Sequence, residues 1–137
     1  MSFHYLLMAN QAIYQRRLME LLSDTGLTAG QPKVLDYLEL YDGASQKEIA
    51  AHCYIEPASL TSVLNGMEAK GLIERRRLNG NRRTFHIFLT EAGSAQAKRV
   101  REAFDQIEAE TFDGLTQEQA AGFMKTMADI HRRLTNS

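Results

Sequence analysis

Apolar residues recur along this chain at two different periods. From about 5 to 23, Leu6, Leu7, Ile13, Tyr14, Leu18, Leu21 and Leu22 fall on one helical stripe, and Gly26 follows as a stop. Thr28 and Gln31 stand at capping-box spacing and Pro32 suits a first turn. Val34, Leu35, Leu38 and Tyr41 then give a second helix its apolar face, and Asp42-Gly43 ends it. Ser45-Gln46-Lys47-Glu48 is another capping box, opening a short helix with Ile49, Ala50 and Cys53 as its inner residues. Glu56-Pro57 starts a fourth helix. Its Leu60, Val63, Leu64 and Met67 follow the i, i+3, i+4, i+7 rule, which turns Ser59, Thr61, Ser62, Asn65 and Gly66 outward, and Gly71 terminates it.

Beyond Gly71 the period becomes 2. Residues 72–77 form an extended run, Leu78-Asn79-Gly80-Asn81 is turn chemistry, and residues 84–89 alternate with Phe85, Ile87 and Leu89 on one face. Two such runs joined through Asn-Gly predict a β-hairpin. Thr90 can cap a further helix to about Phe112, with Val100, Ala103, Phe104, Ile107 and Thr111 at helical spacing. Gly114 breaks it. Thr116 and Gln119 make another capping box, opening a last helix with Ala120, Phe123, Met124, Met127, Ile130 and Leu134 on its apolar face.

This order predicts a mainly α protein with a small β-hairpin wing. Residues 28–90 read as a winged helix-turn-helix, with a helical dimerisation region formed by 1–27 and 91–137. The terminal stripes are too long for a wing domain of some sixty residues to cover, whereas a second copy of the chain would bury them. That pairing would also set two recognition helices about one DNA turn apart.

Composition narrows the class. At 137 residues and 44% apolar content the chain suits one compact domain or subunit, not a disordered one. A single Cys excludes an internal disulfide. No apolar run approaches the ~18 residues a membrane span needs. The N-terminus does not read as a signal peptide, so the expected setting is cytoplasmic. Net charge is −1, but residues 1–70 hold five basic groups against eight acidic ones, while 70–83 hold six against Glu74 alone. That concentration points to local binding of a polyanion. No cofactor or metal set stands at usable spacing, and no nucleophile–base pair or phosphate loop suggests an enzyme.

The chain resembles the MarR (multiple antibiotic resistance regulator) family over nearly its whole length. The carriers are Gly26-Leu27-Thr28 with Gln31 and Val34-Leu35, then Gln46-Lys47-Glu48-Ile49-Ala50. They continue as Leu64, Met67-Glu68-Ala69-Lys70-Gly71-Leu72-Ile73-Glu74-Arg75, Asn81-Arg82-Arg83 and Leu89-Thr90-Glu91-Ala92-Gly93. The resemblance implies a homodimeric winged-helix transcriptional regulator, a repressor in expectation, on a palindromic operator in double-stranded DNA. It also implies tuning by a small phenolic or anionic effector or by oxidation. Peroxide-sensing relatives place a reactive Cys in the first helix, and this one has none. Two departures stand out: Asn81 replaces an Asp that braces the wing arginine, and Ser62 and Gly66 stand where relatives often carry Arg.

The DNA-contact candidates are therefore Gln46, Lys47, Ser59, Thr61, Ser62, Asn65, Arg75, Arg82 and Arg83. Arg83 matches the family's minor-groove arginine, and Arg75, Arg76 and Arg77, successive in an extended run, cannot all face DNA. Tyr14, Arg17 and Tyr37 are candidates for a ligand pocket. The missing recognition-helix arginines keep open a second class of function, a winged-helix protein-interaction module without specific DNA binding.

Overall fold

The structure is a computed structural model describing residues 1–78, 80 and 83–136. It divides into two compact units, Met1–Asp105 and the residues from Gln106 onward.

In the first unit, α1 (Phe3–Leu21) is capped by Ser2, whose hydroxyl accepts from the Tyr5 amide. Only the C-terminal end of its stripe is covered. Leu18 and Leu22 are buried, whereas Leu6, Leu7 and Ile13 stay exposed. The N-cap of α2 (Gln31–Leu40) differs from expectation. It is Gly30 at φ +90°, with no capping hydroxyl, and the Gln31 side chain alone reaches back to accept from the Thr28 amide at 3.0 Å. Val34, Leu35 and Leu38 are buried as the spacing predicts. Tyr41 is not. It follows the last turn, where its ring lies 4.9 Å from that of Tyr37 and stays exposed.

The capping box of Ser45 and Glu48 forms with both of its hydrogen bonds and opens α3 (Gln46–Cys53). Tyr54 then reverses the chain in the left-handed region, at φ +54°, before α4 (Pro57–Ala69) begins. Leu60, Leu64 and Met67 are fully buried and Val63 half-buried. Gly71, at φ +75°, ends the helix as expected of a glycine one residue past the cap.

The hairpin pairs β1 (Ile73–Arg76) antiparallel with β2 (His86–Leu89), in register Ile73↔Leu89 through Arg76↔His86. Pairing is thus confined to four residues a side, shorter than the runs 72–77 and 84–89. Asn79 and Asn81 lie outside the described residues, while Gly80 has φ +73°. The other edge of β2 is used too. Ile87 donates to Ala44 O, and Gly43 and Gln46 donate to Ile87 O and Phe85 O. The α2–α3 connection therefore acts as a third short strand, a pairing that periodicity does not disclose. Gly43 suits that position because its φ is +87°, and a Cβ there would also stand 2.9 Å from the Phe88 ring.

Thr90 introduces α5 (Glu91–Thr111) by accepting from the Gly93 amide and donating to Gly71 O. Ala97, Val100 and Ala103 line its buried face within the first unit. In the second unit the Phe112 and Phe123 rings pack 5.9 Å apart. The Thr116–Gln119 capping box opens α6 (Gln117–Thr135). No residue of α6 is buried, and Phe123, Met124, Met127 and Leu134 are exposed. Of the stripe expected to face inward, only Ala120 and Ile130 are half-buried. No helix of the described residues is long and apolar enough to cross a membrane.

Candidate nucleic-acid interface

Gln46 joins three elements. Its side-chain Nε2 donates to Thr61 Oγ1 on α4 at 3.0 Å, and its backbone N–H donates to Phe85 O at the base of the wing at 3.1 Å. The start of α3, the outward face of α4 and the wing thereby converge on one region, and Lys47 projects beside it, exposed. At about 100° per residue, Ala58, Ser62 and Asn65 lie opposite Leu60, Leu64 and Met67 on α4, with Thr61 and Ser59 at the two sides. All five are exposed.

Gly66 does not present a vacant outward position. A Cβ there would lie 3.0 Å from Gln31 Nε2, so the residue is small in order to admit that amide. Gln31 is a buried polar side chain whose Oε1 accepts from Lys70 Nζ at 2.9 Å, and Lys70 also donates to Gly26 O at 2.6 Å. This tether, from the C-terminal end of α4 to the loop after α1, was missed from sequence. Lys70 reads there only as one more positive charge.

The basic run sorts by strand alternation. Ile73 and Arg75 face inward and Glu74 and Arg76 outward. Arg75, a sequence candidate for DNA contact, is only 16% exposed and pairs its Nη1 with Glu68 Oε1 at 3.5 Å. The structure makes it a strut between β1 and α4. Arg76 pairs with Glu74 and covers the Phe88 ring, and the Arg77 guanidinium sits 4.4 Å over the Phe85 ring. Arg83, two residues before Phe85, is exposed, and Arg82 lies outside the described residues.

The ligand candidates separate. Tyr14 lines a cleft of about 610 Å³ with Gln11, Lys33, Tyr54, Ser59 and Phe104, at the flank of α4. Tyr37 does not line it, since its ring stacks on His52 at 5.6 Å, and neither does Arg17. Cys53 is buried, with its thiol directed at Lys33 O, 3.7 Å away, and burial pushes its pKa up. A thiol held protonated and covered is a poor nucleophile. Cys53 should react with a disulfide reagent such as Ellman's at neutral pH far more slowly in the folded than in the denatured protein; equal rates would contradict its burial.

A short helix, a one-residue left-handed turn, a second helix with a polar outward face and a two-stranded wing define a winged helix-turn-helix. The MarR family model matches residues 27–85. YwhA of Bacillus subtilis, named an uncharacterized HTH-type transcriptional regulator, is 31% identical over 97 residues, covering 71% of this chain and 70% of that protein. An HTH-type transcriptional repressor of Mycobacterium tuberculosis is 28% identical over 126 residues, 92% of this chain and 91% of its own. The crystal structure of the S. aureus MepR–DNA complex superposes with a TM-score of 0.89 at 22% identity, covering 98% of this chain and 99% of that one. The chain belongs to the MarR family of transcriptional regulators.

Proposed function

We propose that this protein is a cytoplasmic repressor that binds a palindromic operator as a homodimer, and that it performs no enzymatic chemistry. Residues 28–90 act as the DNA-binding domain, with dimerisation residing in 1–27 and 91–137. The observation that carries the reading is the double engagement of Gln46, which sets the polar face of α4 beside the wing. That α4 face suits the major groove and Arg83 the adjacent minor groove or backbone. The relative solved with DNA, MepR, supports the same use of the fold. Exposed apolar stripes on α1 and α6 support a symmetric mate. The cleft at Tyr14 combines three aromatic rings, of Tyr14, Tyr54 and Phe104, with the Lys33 ammonium and the Glu56 carboxylate, a lining that favours a small phenolic effector over a purely anionic one.

The test is a salt titration of operator binding. Each phosphate contact adds about 0.9 to the slope of log K against log salt. Arg83→Ala removes one contact from each subunit of the dimer, so it is expected to weaken binding at least tenfold and lower that slope by about two units. Unchanged affinity would remove the wing from the mechanism. Equal binding to all duplexes, with recovery of a protein partner, would favour the protein-interaction module instead.

A further inference from the structure

We infer that α4 reads an A·T step in the major groove, with Asn65 on adenine and the methyl groups of Ala58 and Thr61 against a thymine methyl; this rests on the DNA-reading role proposed above. Among the thirteen residues of α4 there is no Lys or Arg, so the helix has no cation for the O6/N7 pair of guanine.

Thr61 is polar by name only. Its hydroxyl donates to Pro57 O at 3.1 Å and accepts from Gln46 Nε2 at 3.0 Å, so its one donor and one of its two acceptor lone pairs are engaged inside the protein. What it offers outward is a methyl group, one turn from that of Ala58. Asn65 follows Thr61 by four residues and about 40° around the helix, and among the described residues neither its amide nor the Ser62 hydroxyl has a hydrogen-bond partner. A carboxamide matches the N7 acceptor and N6 donor of adenine, and alkyl groups match the C5-methyl of thymine. The stripe thus presents one adenine reader flanked by methyl contacts. Arg75, which could have supplied a guanine contact from the wing base, is held by Glu68.

The experiment is selection of bound sites from a random duplex pool by the full-length protein, followed by two changes confined to the major groove. Deoxyuridine replaces each selected thymine in turn, deleting only its methyl, and 7-deazaadenine replaces each adenine, deleting only its N7. An A·T position in each half-site that loses about fivefold or more affinity to both changes, with the adenine effect absent in Asn65→Ala, is expected. Specific half-sites built on G·C pairs, or ones indifferent to both analogues, would overturn the inference while leaving the operator-binding function intact. Failure to select any sequence would overturn both. Asn65 is exposed, so its alanine variant should fold, and the analogue-bearing duplexes test the wild-type chain directly.

Discussion

Replacing Gly93 with alanine should cost about as much stability as truncating a large side chain in the core. A Cβ built at Gly93 falls 1.9 Å from the carbonyl oxygen of Leu72 and 3.0 Å from its carbonyl carbon. Neither atom is free to retreat. Leu72 O accepts from the Thr90 amide at 3.0 Å, and Thr90 also fastens to Gly71 O through its hydroxyl. The start of α5 must therefore lift off the strand, breaking the Thr90 contacts as it goes. Overpacking against unyielding backbone places the loss at about 3 kcal/mol or more. For a chain of this size that lowers Tm by roughly 10 °C. A thermal melt checks it, with Gly122→Ala in α6 as the comparison, since a Cβ at Gly122 meets nothing within 4 Å. Equal melting of the two variants would mean that α5 does not approach Leu72 as closely as described.

The second large effect concerns assembly. Met124 and Met127 are 54% and 38% exposed in the single chain, so charging them should leave its secondary structure unchanged. Met124→Asp combined with Met127→Asp is expected to convert the proposed dimer to monomer in sedimentation velocity. Losing the second half-site should weaken operator binding by about a hundredfold, because the bivalent advantage goes with it. The Phe112–Phe123 ring pair is untouched by these changes, which isolates the surface from the local packing of the second unit. A persistent dimer would place the interface elsewhere.

What the sequence disclosed follows from how local each cause is. Leu60, Leu64 and Met67 alternate with polar residues at a helical period, and the capping boxes at Ser45 and Thr116 are complete within four residues. Both could be read directly. Arg75 could not be assigned from charge alone, since its role depends on which parity of β1 faces α4. Once Ile73 is fixed inward, Arg75 must follow it. Gly66 misled because its smallness serves Gln31, thirty-five residues earlier in the chain. The pairing of Gly43 to Gln46 with β2 has no period to betray it. The α6 stripe was visible in sequence, but among the described residues Phe123, Met124, Met127 and Leu134 remain exposed.

The Lys70 tether has a mechanical corollary. Because its ammonium grips both Gly26 O and the Gln31 amide, the end of α4 cannot swing without dragging residues 26–31 along. In a two-fold assembly that coupling makes the gap between reading heads a property of the loop after α1. In the proposed dimer, symmetry would double a small rotation of that loop and carry the two heads out of phase with the ~34 Å repeat of the double helix.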